Sequence, residues 1–464
     1  MKLIFSIFSF LLIVTSSYSQ IEKSSLQYKV IELDSEYFPN EKRTIKIFLP
    51  KGYDTTKKHP IIYTLDGDAL FDMTSNYVKQ LSKTVIQNDY DYGFDVIPQS
   101  IVVGIFHKNR GYETTPNFSK YSNGDETVYK EGSEKLKNFL FKEVVPFINS
   151  NYKTSGYNSI IGHSNTAHFV MCLPLQKNNP FNGIISMSLS GDSKIFKNKI
   201  KTYLERNNNT NIFIGYGSKD FGFNEFAKYI ESSEVSKDNL KIRKYNANHN
   251  EMPALSLVNG LKFLFKEYRN IDNFNQESTK KEFDIKQYLK EYQRKNLSCY
   301  GIETKMKEDD FYSLLDLSII SKNKKVFNQI VDYELEVNKN PIQNHMLFVY
   351  NKQLGDFKKA EIIAYNILES KIDFDNRVLN GQLESYYSFF IKDLKEPKKA
   401  INFFKNGKVK FPKHELEYRY FIAKASIENN YKKRLGKTNL KYCIKNYKQN
   451  KYFTKFDLDK LRKE

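Results

Sequence analysis

Three residues with the chemistry for acyl transfer follow one another along the chain: Ser164, Asp220 and His249. Ser164 lies in Ser-Ile-Ile-Gly-His-Ser-Asn-Thr-Ala-His-Phe (Ser159 to Phe169), where an apolar run meets Gly162-His163-Ser164 and passes straight into residues that can form a helix. A serine on such a sharp strand-to-helix turn is held out of the backbone, its hydroxyl exposed at the edge of a sheet. Asp220 follows the apolar run Ile212 to Tyr216 in the loop Gly217-Ser218-Lys219-Asp220. His249 follows the strand-like Lys241 to Tyr245, in a loop just ahead of a helical stretch. The chemistry accounts for the three types. Serine is a poor nucleophile until a base takes its proton; His249 can do this and return the proton to a leaving alcohol. Asp220 would fix the imidazole tautomer and stabilise the imidazolium. Singly, a histidine is more often structural and an Asp after a strand is more often a turn residue or helix cap. The joint order and loop positions carry the reading. Glu225 and Asp192 are the alternatives to Asp220.

An acyl-transfer intermediate also needs preorganised N–H donors for its oxyanion. One is expected from the backbone of Asn165, at the start of the helix after Ser164, where the helix dipole adds to it. The second is expected from Asp66-Gly67-Asp68, after the strand ending in Leu65, because glycine lets the backbone turn inward. The N–H of Asp68 is the choice; a plain tight turn would read the same way. Two acidic side chains here would favour a cationic substrate or would tie down loops.

Such residues need a sheet to hold them. Arg43 to Leu49 alternates as a half-buried strand does, and Pro50-Lys51-Gly52-Tyr53 is a turn. Ile61 to Leu65 and Ile101 to Ile105 are near-continuous apolar runs, which suit central parallel strands buried on both faces. Ser133 to Asn149 has apolar residues at helical spacing, and Met252 to Tyr268 reads as a closing helix. Further strands fall at Gly183 to Met187, Asn211 to Gly217 and Lys241 to Tyr245. Strands separated by helices make an α/β fold with a doubly wound, mostly parallel sheet.

From about Asn273 glycine becomes scarce and apolar residues recur at helical spacing, so an all-α domain is expected. Lys324-Lys325, Lys358-Lys359, Lys398-Lys399 and Lys432-Lys433 mark a faint repeat that resembles tetratricopeptide helix pairs. An irregular helical domain fits equally well.

At 464 residues the chain is too long for one ordinary domain, and 40% hydrophobic residues are enough to build cores. The expected division is 1–19 as a signal peptide, 20–272 as the α/β domain and 273–464 as the helical domain. The leader reading rests on Lys2, the apolar run Leu3 to Val14 and the small-x-small site Ser17-Tyr18-Ser19. It implies an exported protein, periplasmic or secreted, with no stable membrane anchor after cleavage at Gln20. The net charge of +19 comes from a Lys-rich background without a compact Arg patch, so no nucleic-acid partner is expected. Cys172, Cys299 and Cys443 are far apart and odd in number, and no HExxH occurs, so neither a disulfide framework nor a metal site is expected.

In combination these residues resemble the putative-esterase branch of the α/β-hydrolases, with its esterase D-like, enterochelin-esterase-like and mycolyltransferase-like members. The resemblance spans about Leu26 to Tyr268. It rests on Phe48-Leu49-Pro50 with Gly52-Tyr53, Tyr63 to Asp68, Val102-Val103-Gly104-Ile105, Arg110 with Thr114-Thr115-Pro116, Gly162-His163-Ser164, Ser188-Leu189-Ser190, and His249 with Met252-Pro253. The helical part is loosely similar to a tetratricopeptide-like extension found on exported members. The resemblance implies hydrolysis of a small-molecule carboxylic ester through an acyl-enzyme, with no cofactor. Ser164, Asp220 and His249 would be the triad, and the backbones of Asp68 and Asn165 the oxyanion hole. Asp66, Gly67 and Arg110 are candidates for the loops that meet substrate. Thr166 and Ala167 replace the usual small Gly-Gly pair, and Pro174 falls inside the elbow helix and should kink or end it. Alternative readings are a non-catalytic hydrolase fold acting as a scaffold, with a protein partner on the C-terminal helices, or an acyltransferase using the same triad. Siderophore, sugar-linked and simple aliphatic esters all fit.

Overall fold

The computed structural model describes residues 28–464 except 88, 89, 94, 117–130, 190–192, 207, 208, 234, 236, 237, 269–272, 305, 307 and 339–341. The expected leader with Gln20, the alternative acid Asp192 and Ser190 therefore lie outside the described residues. The chain divides into two compact units. The first holds residues up to 85 with 94–269 and 295–304; the second holds 86–93, 270–294 and 305–464. The sequence-based division places a single cut between 272 and 273; by contacts, 295–304 groups with the sheet and 86–93 with the helices.

The first unit is built on an eight-stranded sheet in the order β1-β2-β6-β3-β7-β8-β9-β10. The strands are β1 (Tyr28–Asp34), β2 (Lys42–Phe48), β3 (His59–Thr64), β6 (Ile101–Ile105), β7 (Thr154–His163), β8 (Gly183–Met187), β9 (Asn211–Gly217) and β10 (Leu240–Tyr245). The chain numbers β4 (Thr84–Gln87) and β5 (Tyr90–Gly93) form a separate two-stranded sheet. β1 pairs antiparallel with β2, and β2 with β6; every other neighbouring pair is parallel. β3, β6 and β8 are buried along their whole length, as their unbroken apolar runs require. Alternate residues of β3, β7 and β8 serve two cores: Ile61, Tyr63, Ile160 and Ile184 on one face, Ile62, Ile161 and Ile185 on the other.

The helices of this unit are α1 (Gly67–Leu81), α2 (Arg110–Thr114), α3 (Glu131–Asn138), α4 (Val145–Asn151), α5 (Asn165–Cys172), α6 (Lys194–Glu205), α7 (Glu225–Ser232) and α8 (Met252–Leu264). The single helix expected over Ser133 to Asn149 is instead α3 and α4 joined by a π-helical segment, Phe139–Val144. Pro146 enters at the start of α4, and a proline with no N–H is accommodated where the backbone register changes. Pro174 acts as its ring dictates: α5 stops at Cys172, and Leu173–Leu175 closes it as a 3₁₀ turn.

The second unit is helical beyond residues 86–93: α9 (Phe274–Ser278), α10 (Ile285–Tyr300, whose last residues belong to the first unit), α11 (Glu308–Ile320), α12 (Lys324–Tyr333), α13 (Asn344–Gln353), α14 (Phe357–Glu369), α15 (Asp373–Gly381), α16 (Leu383–Ser388), α17 (Pro397–Lys410), α18 (Glu415–Glu428), α19 (Lys433–Lys445) and α20 (Lys455–Lys463). Each Lys-Lys pair noted in the sequence lies at the start of a helix, α12, α14, α17 or α19. Two of these starts have side-chain caps: Asn323 accepts from the Val326 N–H and Asp356 from the Lys359 N–H. Phe348, Tyr386 and Phe403 stack through its core, with ring centroids 4.5 and 5.4 Å apart.

Candidate active site

The carboxyl ends of β3, β7, β9 and β10 carry the residues with chemistry. β7 ends in Gly162-His163, and Ser164 follows with φ 62° and ψ −119°, a conformation few residues with a Cβ adopt. The Ser164 N–H donates to Met187 O at 2.9 Å, extending the β7–β8 ladder into the turn. A side chain at Gly162 would lie 2.4 Å from Thr166 O, so this glycine lets α5 fold back over the strand.

Asp220 and His249 are brought together by two laced loops. The Ser218 N–H donates to Tyr245 O and the Lys219 N–H to Ala247 O. A Cβ on Gly217 would stand 2.3 Å from Ala247 O, so glycine is what lets the loops approach. His249 Nδ1–H then reaches both carboxylate oxygens of Asp220, at 3.0 and 3.1 Å. Asp220 is buried, and His249 keeps part of its ring exposed. Glu225, the described alternative, has an exposed side chain 3.9 Å from Lys228.

Two residues the sequence did not single out for the site, His163 and Phe223, hold the His249 ring. Phe223 lies against it with centroids 4.1 Å apart, and His163 does so from another side at 4.5 Å. His163 Nε2–H donates to His249 O at 3.0 Å. Burial, and then the neighbouring His249, push the His163 pKa down to about 4, so its ring is neutral near pH 7. The Ser164 hydroxyl makes no hydrogen bond to His249 among the described residues.

Asp66, Gly67 and Asp68 stand where β3 gives way to α1. Asp66 is buried in the left-handed region at φ 52°, and its carboxylate does not cap its own helix. It is instead held by Arg110, through Nε at 2.6 Å and Nη2 at 3.0 Å, and by Thr166 Oγ1 at 2.8 Å. These contacts tie Asp66 to the segments that carry Arg110 and Thr166. Gly67 fits because a Cβ there would meet the Phe106 ring at 2.6 Å. The Ala69 and Leu70 N–H groups donate to Asp66 O, which leaves those of Gly67 and Asp68 with no acceptor among the described residues. The Asn165 N–H at the start of α5 is open in the same sense, while its side-chain amide donates to Thr114 and Thr115 Oγ1 at 2.8 and 2.9 Å.

Behind Arg110 lies a buried carboxylate, Glu113. It accepts from Arg43 at 3.1 and 2.5 Å, from His107 Nδ1–H at 3.1 Å, and from the N–H groups of Lys108 and Asn109 at 3.0 and 2.9 Å. Burial alone would raise its pKa; the hydrogen bonds from His107 and Arg43 and the Arg43 charge outweigh that and hold it at about 2. The Asp66 N–H donates to His107 Nε2 at 3.3 Å, so this network also reaches the start of α1. Glu113 sits between Arg110 and Thr114-Thr115-Pro116, and only its place in that run could have drawn notice in sequence. Among the described residues no group of three or more His, Cys, Asp or Glu side chains could hold a metal ion, and no helix is long and apolar enough to cross a membrane.

A serine on a strand-turn-helix after β7, with an Asp–His pair on the loops after β9 and β10 of a mostly parallel sheet, is the chain order and loop placement of an α/β-hydrolase. Residues 35–252 match the family model described as putative esterase. This segment belongs to that family, and the chain is a carboxylic-ester hydrolase. No curated protein sequence matches the chain. Among solved structures, an uncharacterised protein from Capnocytophaga ochracea is similar over 73% of this chain and 93% of its own, at 18% identity and a TM-score of 0.54, which shows a shared fold. An IroE-like serine hydrolase from Shewanella oneidensis matches over 66% of this chain and 98% of its own, at 20% identity and a TM-score of 0.49. The siderophore hydrolase EstA from Aspergillus nidulans matches over 54% and 98%, at 14% identity and a TM-score of 0.40.

Proposed function

We propose that the chain hydrolyses carboxylic esters through an acyl-enzyme on Ser164, with His249 as general base and Asp220 as its orienting partner. The observation that carries this is the pair of contacts from His249 Nδ1 to Asp220, on the same sheet edge as a serine held in a strained turn. With Nδ1–H committed to the carboxylate, Nε2 is the free acceptor, which is the tautomer a general base needs. The Ser164–His249 hydrogen bond forms when substrate closes the site, since such contacts are loose in the absence of ligand. His249 takes the hydroxyl proton as Ser164 Oγ attacks the ester carbonyl, and the N–H groups of Asn165 and Asp68 receive the oxyanion. Collapse expels the alcohol, which takes the proton from His249. Water, deprotonated by the same ring, then releases the acid and frees the serine.

The test is turnover of p-nitrophenyl acetate and butyrate by the wild type and by Ser164→Ala. Loss of at least ~10³-fold in kcat is expected, in line with removal of a nucleophile whose oxyanion site is left intact. Equal turnover by both proteins removes Ser164 from the mechanism. The Lys2, Leu3 to Val14 and Ser17-Tyr18-Ser19 pattern supports export, with a mature chain starting at Gln20. N-terminal sequencing of the purified protein checks this, and an intact Met1 on exported material would contradict it.

A further inference from the structure

Thr166 occupies the position where the elbow pattern has glycine, and its side chain is fully buried. Its Oγ1 accepts from the His163 N–H at 2.8 Å and lies 2.8 Å from both Asp66 Oδ2 and His163 O. A hydroxyl has one proton to give. The charged carboxylate is the stronger acceptor, and His163 O already receives Arg110 Nη2–H at 3.2 Å. The contacts therefore close a ring: His163 N–H to Thr166, Thr166 to Asp66, Arg110 to Asp66, and Arg110 to His163 O.

Two consequences follow from the ring. His163, immediately before Ser164, is fixed through both its N–H and its C=O. Asp66 is also held in an unusual role. An Asp directly before a helix ordinarily caps it, accepting from the N–H groups of the first turn. Here the carboxylate is drawn away from α1, and the Gly67 and Asp68 N–H groups stay open. We infer that Thr166 is a positioning residue that keeps the oxyanion hole open, by holding the Asp66 carboxylate off the N-terminus of α1. Without the hydroxyl, Asp66 keeps its Arg110 contacts and the His107 ring 3.6 Å away but loses the Thr166 bond on Oδ2, and turns toward the N–H groups that the ester oxyanion requires.

The inference rests on the esterase reading, so Ser164-dependent turnover by the wild type is established first; its absence sinks that reading and not this one alone. Given that turnover, Thr166→Val is compared with Thr166→Ser, each normalised to the fraction of sites titrated by a fluorophosphonate. Expected for Thr166→Val is a fall in kcat of ~10- to 100-fold with KM within about threefold, because a donor present but misplaced loses most of what a preorganised one supplies. Affinity for a trifluoromethyl ketone analogue falls in parallel, and Thr166→Ser restores both. In an Asp66→Asn background the Thr166→Val change has little further effect, since the charge that would fill the hole is gone. Thr166→Ala carries the same expectation where the valine variant does not fold. Unchanged kcat per titrated site, a serine variant as slow as the valine one, or additive losses in the Asp66→Asn background would each overturn the inference.

Discussion

His168 is fully buried on α5, with its ring centroid 4.3 Å from that of Phe196, and neither ring nitrogen meets a hydrogen-bond partner among the described residues. Burial pushes its pKa down to about 3. The unfolded ring takes a proton near pH 6.5 and the folded ring does not, so stability is full above pH 6.5 and is lost as pH falls toward 3. His163 acts in the same direction, down to about 4. Each such ring contributes a slope of ~1.4 kcal/mol per pH unit, or about 2 kcal/mol by pH 5. Glu113 adds a later loss, between the ordinary Glu range and about 2. Replacing His168 by leucine removes two unpartnered buried nitrogens and one titrating ring. Urea midpoints for loss of esterase activity at pH 7 and pH 5 are the measurement. The His168→Leu protein should gain ~1 kcal/mol at pH 7 and about 2 kcal/mol more at pH 5. Parallel pH dependence in the two proteins would show that His168 is not the group responsible.

The elements place the Asp–His pair by loop lengths and by close backbone approach. β9 and β10 are adjacent parallel strands, so the loops that leave them run side by side. Gly217 is the point of contact, with room for no Cβ before Ala247 O. Gly217→Ala should part the loops and lengthen the His249–Asp220 contacts. A misplacement on the order of 1 Å predicts a fall in kcat of ~100-fold with a folded protein. Circular dichroism and active-site titration separate this from unfolding, and full turnover by the alanine variant would show that the loops adjust without cost. Gly162 does the same service for the elbow, which is why the motif tolerates Thr166 at its second small position. The tight approach is made over Gly162, and the side chain at 166 has a partner waiting in Asp66.

For the whole molecule, a segment that follows the change in composition, 295–304, groups with the sheet unit. Tyr300 is buried in the sheet unit, with its ring 5.2 Å from that of Tyr157 and 5.3 Å from that of Phe265, and its oxygen accepts from the Glu267 N–H. Gly301 follows at φ 64°, where a Cβ would stand 2.0 Å from Ser155 O. Tyr300→Ala should therefore destabilise the hydrolase unit by ~3–5 kcal/mol, the range for emptying a buried aromatic site. The check is the thermal midpoint of esterase inactivation; no shift would place 295–304 outside the unit's stability.

Local pattern determined much of this protein. Unbroken apolar runs marked β3, β6 and β8, since a strand buried on both faces has no polar side to show. Gly162-His163-Ser164 and the order of Asp220 and His249 followed from loop positions along the chain. Pro174 ended its helix through its own ring. Tertiary structure alone decided which acid pairs with His249, that Asp66 serves Thr166 and Arg110, and that Arg43 lies against Glu113, seventy positions away. Those are contacts between charged or polar groups distant in sequence. Their worth depends on burial and on the other partners each group has. A periodicity reports which face of an element is buried, but not which buried carboxylate meets which donor.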